Sequence, residues 1–193
     1  MDKSNGYETH AITFIRCRSK GIDGVGAASI RQWARSLPPN ATVVDVGCGA
    51  GDPISKALVE EGLSVYGIDA SSSLVQVFQQ NFPDCPVACE AVEDSLFFNR
   101  QFDAVIAWGL MFLLPEETQK VVIQKMANAL YAGGKLLFTA PAQKMKWKDA
   151  ITEIESVSLG ATRYKELLAA SGLSLTEEFE DEGENHYYHA VKH

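Results

Sequence analysis

Asp45-Val46-Gly47-Cys48-Gly49-Ala50-Gly51 sets three glycines at alternate positions behind a carboxylate, and a second acid, Asp69, follows further along the chain. Glycines in that pattern bring bare backbone close to whatever lies beside them, because no Cβ stands in the way. The residues before them, Thr42 to Val46, are β-branched apart from Asp45 and fit a buried strand. After them, Asp52 suits the cap of a helix and Pro53 its first turn. A strand that ends in a glycine turn before a helix is where open α/β sheets bind nucleotide-like ligands. The spacing is Gly47-x-Gly49-x-Gly51, not G-x-G-x-x-G, which weakens the case for a pyrophosphate seat. Asp69 closes a second apolar strand, Leu63 to Ile68, and a carboxylate there can accept both hydroxyls of a ribose. An adenosine-type ligand follows, without a choice between a nicotinamide dinucleotide and others.

The elements that must position these groups alternate along the chain. Helical spacing of Ile30, Trp33, Ala34 and Leu37 gives a packed helix, preceded by another from Tyr7 and separated from it near residues 21–26. Further helices are expected over Ile54–Glu61 (stopped by Gly62), from Ser71 or Ser72 to about Asn81, over Pro115–Leu130, and over Arg163–Ala170. Strands are expected at Val87–Ala91, Phe102–Ala107 and Lys135–Ala140, and Leu173–Glu180 with His186–Val191 form a terminal antiparallel hairpin. Strands alternating with helices in this way predict βαβ units and a mainly parallel sheet. Residues 141–160 read as less regular.

Bulk properties narrow the class. The chain has 193 residues, 46% hydrophobic and 22% charged, which suits a single domain with a substantial core. Its formal net charge of −8 argues against non-specific binding of nucleic acid. No apolar run is long enough for a membrane span, and Met1 to Gly6 lacks the apolar core of a signal peptide, so a cytoplasmic location is expected. Cys17, Cys48, Cys85 and Cys89 show no CxxC spacing; reduced thiols and no metal site are the expectation. His186 and His189, three apart on a strand, point to opposite faces and do not share an ion.

Four motifs in order resemble the class I S-adenosylmethionine-dependent methyltransferases: Val43 to Pro53; Val65-Tyr66-Gly67-Ile68-Asp69-Ala70-Ser71; Phe102 to Gly109 at a fourth strand; and Leu130-Tyr131-Ala132-Gly133-Gly134, similar to the family's L-x-P-G-G with Ala132 for the proline. The resemblance covers roughly Thr42 to the C-terminus. It implies a Rossmann-like, doubly wound, seven-stranded sheet, mainly parallel, with an antiparallel C-terminal hairpin. The organisation expected is one domain, 1–193, with a helical cap at 1–40, a cofactor-binding core at 41–193 and an acceptor-site insertion at 141–160. The cofactor implied is S-adenosylmethionine, leaving as S-adenosylhomocysteine after in-line displacement at its methyl group. Gly47, Cys48 and Gly49 would face its methionine part, with Asp45 behind them. Asp69 would hold the ribose and Ala70 would lie against adenine. Glu90 is the nearest match to the family's adenine reader, with Val92 or Glu93 in another register. Trp108 would lie near the methyl group, and Arg18, ahead of Arg16, could pair with the cofactor carboxylate.

Tyr7, Met111 and Trp147 are candidates for the acceptor side, and no general base is assigned. Phe112, Leu113 and Leu114 read as core, Glu180 to Glu184 as a solvated turn, and Cys48 as a small residue rather than a nucleophile. The acceptor expected is a small molecule, and the chain a monomer or homodimer. Two other functions remain open: a non-catalytic S-adenosylmethionine-binding regulator and a nicotinamide-dependent oxidoreductase.

Overall fold

The structure, a computed structural model, describes residues 3–18 and 24–193; the side chain of Arg18 lies outside the described residues. Two helices, α1 (Tyr7–Arg18) and α2 (Ala27–Ala34), precede the sheet. Then follow β1 (Thr42–Val46), α3 (Ile54–Glu60), β2 (Ser64–Asp69), α4 (Ser72–Asn81), β3 (Val87–Cys89), β4 (Phe102–Ala107), α5 (Glu116–Asn128) and β5 (Leu130–Thr139). A hairpin of β6 (Met145–Lys148) and β7 (Glu155–Ser158), then α6 (Ala161–Ala170), β8 (Leu173–Glu180) and β9 (His186–Lys192), complete the chain.

The seven-stranded sheet has the order β3-β2-β1-β4-β5-β9-β8. The β1–β2, β1–β4, β2–β3 and β4–β5 pairs are parallel, and β9 joins β5, and β8 joins β9, antiparallel. The expected architecture is therefore the observed one, with the β6–β7 pair as a separate small sheet.

Side-chain alternation along the strands decides what each face buries. Val43, Ala104, Ile106, Leu137 and Tyr187 pack toward Ile30, Trp33, Ala57 and Leu58 of α2 and α3. Their neighbours Val44, Val105, Leu136, Phe138 and Tyr188 pack toward Val122, Ile123, Tyr164 and Leu168 of α5 and α6. Helices thus cover both faces, as a sheet apolar on both sides requires. The chain leaves β1 toward β2 on one side and β4 toward β5 on the other, so the crevice opens beyond the ends of β1 and β4.

Several local expectations change. Asp52 does not cap α3: Pro53 is the N-cap residue, with no side-chain cap. β3 stops at Cys89, and the chain turns just beyond it, the Asp94 and Ser95 amides donating to the Ala91 carbonyl. β5 begins at Leu130, paired with Phe102; a register shift before Ala104 absorbs Gly133-Gly134 within the strand. Residues 141–160, read as irregular, contain the β6–β7 hairpin. Ser71 caps α4, its hydroxyl accepting from the Leu74 amide at 3.2 Å, and Glu116 and Lys120 pair at 3.5 Å as their spacing predicts. No helix among the described residues is long and apolar enough to cross a membrane.

Candidate active site

A cavity of about 280 Å³ opens where the ends of β1, β2 and β4 meet. Gly47 and Gly49 form its floor with φ of 75° and 55°. A Cβ on Gly47 would come to 3.1 Å from Leu110, and one on Gly49 to 3.1 Å from Phe14, so the floor stays open only because side chains are missing. Asp69, at the tip of β2, stands beside it. Its two carboxylate oxygens each accept one backbone N–H, from Gly49 and Ser71, both at 2.8 Å. An ionised carboxylate oxygen has two lone-pair sites, so one remains on each for a vicinal diol. Burial pushes the Asp69 carboxyl up from its ordinary value, the two N–H groups pull it back, and nearby Glu8 adds to the rise. Further hydroxyl donors from a ligand would relieve that charge.

Tyr7 and Phe14 of α1 meet edge to face at 5.2 Å and close the cavity from above. The start of the chain is tied down at three points. Lys3 bridges to Asp94 at 2.6 Å and Glu93 at 3.3 Å. The Tyr7 hydroxyl donates to Asp149 at 3.1 Å. Glu8 accepts from the hydroxyls of Ser71 (2.6 Å), Ser72 (3.0 Å) and Ser73 (2.7 Å) and from the Ser73 amide (3.1 Å). Those hydrogen bonds, led by Ser71, hold the Glu8 carboxyl at about 2, and they set an anion at the N-terminus of α4. Asn5 also lines the cavity, and its side-chain nitrogen is buried with no hydrogen-bond partner among the described residues. A buried donor of that kind is satisfied when a ligand brings an acceptor. These observations, a diol-ready carboxylate, a Cβ-free floor and an orphaned donor, fit the cofactor that the motifs imply.

Of the residues picked out from sequence, Tyr7, Gly47, Gly49, Asp69, Ala70, Glu90, Val92, Glu93 and Trp108 all line the cavity. Four do not. Asp45 is buried behind the glycine turn, where the Ser55 hydroxyl donates to it at 2.5 Å. Cys48 points under β2, with its sulfur 2.8 Å from where a Cβ on Gly67 would sit, and burial pushes its thiol well up, as suits an inert core residue. Met111 is fully buried in the core, Leu114 is a core residue as read that also touches the cavity, and Phe112 and Leu113, read as core, are half-buried and line the cavity. The 3-10 turn Met111–Leu113 points its first residue inward and the others out, which helical periodicity could not foretell. Trp147 stands behind the wall, its ring 5.4 Å from that of Phe112. Arg18 lies outside the described residues as far as its side chain is concerned.

Asp149 and Ile151, within the segment 141–160 expected at the acceptor site, and Asn185 also line the cavity, though none of the three is singled out by the sequence. Asp149 sits in the β6–β7 turn, its other oxygen accepting from the amides of Ile151 (3.0 Å) and Thr152 (2.8 Å). The turn from Glu180 to Glu184 is exposed at Glu180, Glu182, Gly183 and Glu184 as read, but Asp181 within it is an ordered anchor that accepts from the Gly183 and Asn185 amides at 2.9 and 3.0 Å.

Residues 43–134 match the family described as methyltransferase domain. Among curated proteins, the chain is 31% identical over 108 residues to a ubiquinone biosynthesis O-methyltransferase of Coxiella burnetii, covering 54% of this chain and 45% of that protein. It is 34% identical over 116 residues to the putative methyltransferase YqeM of Bacillus subtilis, covering 55% and 47%. The chain thus spans about half the length of the curated relatives it matches. Among solved structures, magnesium protoporphyrin IX methyltransferase from Synechocystis with bound S-adenosylhomocysteine superposes with a TM-score of 0.79 at 18% identity, over 100% of both chains. A TehB-like S-adenosylmethionine-dependent methyltransferase from Corynebacterium glutamicum superposes with 0.72 at 21% identity, over 96% of each. The stretch that holds the glycine turn thus matches a methyltransferase domain, and the whole chain shares the fold of solved S-adenosylmethionine-dependent methyltransferases.

Proposed function

We propose that this chain transfers the methyl group of S-adenosylmethionine to a small, mostly apolar acceptor. The observation that carries the reading is the pairing of Asp69, with lone pairs left for a diol, and the Cβ-free floor of Gly47 and Gly49 in one cavity. When bound, S-adenosylmethionine supplies a methyl group already activated on a sulfonium, open to direct in-line displacement by a nucleophile. The chain's task is then to hold, orient and exclude water. Asp69 takes the ribose hydroxyls; Ala70, Glu90 and Val92 form the adenine side; Gly47 and Gly49 admit the amino-acid part.

The acceptor enters on the side of Tyr7, Phe112 and the β6–β7 turn, within residues 141–160. Among the described residues of the lining, four carboxylates, Asp69, Glu90, Glu93 and Asp149, face one ammonium, Lys3, itself paired with Glu93 and Asp94. That balance favours the sulfonium cation and disfavours an anionic acceptor. The relatives carry names of O- and N-methyltransferases alike, so the attacking atom is left to experiment.

The test is incubation with methyl-labelled S-adenosylmethionine and panels of neutral phenols, amines and carboxylic acids. Label is expected in a neutral or basic acceptor and not in the acids. Cofactor binding without transfer to any acceptor in an unfractionated metabolite extract would instead support a regulator, and binding of a nicotinamide dinucleotide in its place an oxidoreductase.

A further inference from the structure

Trp108 is the largest side chain at the end of β4 to line the cavity, and its indole is fixed from outside it. The indole Nε1–H donates to the Tyr187 hydroxyl at 2.6 Å, and that hydroxyl donates to Asp181 at 2.8 Å. Next in sequence, the Gly109 amide donates to the Thr139 hydroxyl at 2.8 Å. Thr139 and Tyr187 are register partners in the β5–β9 ladder, so one rung of the sheet grips the Trp108-Gly109 corner by side chain and by backbone. The other oxygen of Asp181 accepts from the amide and side-chain nitrogens of Asn185, a second cavity residue. Opposite, the Gly26 amide donates to Glu182 of the same turn at 3.0 Å, and a Cβ on Gly26 would come to 2.8 Å from the indole nitrogen and 2.9 Å from the Tyr187 hydroxyl. Burial and the nearby Asp181 keep the Tyr187 phenol far above its ordinary range, so it stays a donor at any working pH.

We infer that Tyr187, held by Asp181, is a positioning residue: it orients the Trp108 indole as a fixed wall of the cofactor cleft. This rests on the methyltransferase reading above. Without the hydroxyl the indole can rotate about its side-chain torsions into space the ligand needs, and its N–H loses this hydrogen bond.

Tyr187→Phe keeps the ring stacked on Phe179, 4.5 Å away, so the fold should survive; Asp181→Asn supplies a second variant acting in the same direction. Two readouts test the claim. In the free protein, the Trp108 indole N–H resonance, one of three and assigned by its loss in Trp108→Phe, should move upfield in Tyr187→Phe. By calorimetry, Tyr187→Phe should weaken S-adenosylhomocysteine about tenfold, yet cost nothing further in a Trp108→Phe background. An unmoved resonance, or equal losses in both backgrounds, would overturn the positioning role while leaving the cofactor assignment standing. Failure of the wild-type chain to bind either S-adenosylmethionine or S-adenosylhomocysteine would overturn the functional reading, and this one with it.

Discussion

On one wall of the cleft the ligand-facing groups are set by backbone: the glycine turn after β1 and Asp69 at the tip of β2, clamped by two N–H donors. On the opposite wall they are set by side chains from elements distant in sequence. Tyr7 reaches Asp149 across 142 residues and Glu8 reaches Ser73 across 65. The first wall is part of a parallel sheet buried on both faces and cannot shift without disturbing the core. The second hangs on hydrogen bonds and exposed ion pairs, each worth little alone, and can be retuned for a new acceptor without touching the cofactor site.

If the division is real, substitutions should separate cleanly by wall. Asp69→Ala strikes the backbone-set wall hardest. Removing an acceptor that serves a ribose diol and two buried amides should cost about 2–3 kcal/mol of S-adenosylhomocysteine affinity by calorimetry. An unchanged affinity would remove the ribose role. Phe112→Ala strips the acceptor side of an aromatic face backed by Trp147 and should lower kcat/KM by about 1–2 kcal/mol through the acceptor, with cofactor affinity unmoved. A loss of cofactor affinity instead would move Phe112 to the other wall.

Glu8→Gln should loosen α1 rather than the sheet, for about 1 kcal/mol, seen as faster amide exchange in α1 alone. Acidification sharpens the same contrast. The Asp69 carboxyl lies above its ordinary value, so it protonates early and cofactor affinity falls first. The Glu8 carboxyl is lowered from 4.5 to about 2, so the docking of α1 is fully present above 4.5 and is lost only as pH falls toward 2. Loss of α1 protection before loss of affinity would contradict that order. Lys3→Ala should have the smallest effect, slightly faster amide exchange just ahead of α1 at low salt that disappears at high salt.

The same division explains what the sequence disclosed. Gly47, Gly49, Asp69 and Trp108 sit at strand tips, where residue type and position along a strand fix their place, and all four were legible. Asp149, Ile151 and Asn185 come from turns whose approach to the cavity depends on tertiary contacts, which no local pattern encodes. Met111 shows the limit within one turn: the right segment was picked, but the side chain facing the core rather than the cleft. The β6–β7 hairpin is hard to read because each strand has four residues and β6 is mostly exposed, so the alternation of Met145-Lys146-Trp147-Lys148 is too short to stand out from a loop. Asp181 read as solvated because an acidic turn looks the same whether its carboxylate meets water or a buried tyrosine.

A crystal structure of the chain with S-adenosylhomocysteine decides the matter most directly. The ribose hydroxyls should lie on the carboxylate of Asp69 and the amino-acid part against Gly47 and Gly49, with Trp108 where Tyr187 now holds it. Ligand density at any other place, or none at saturating concentration, would contradict the account.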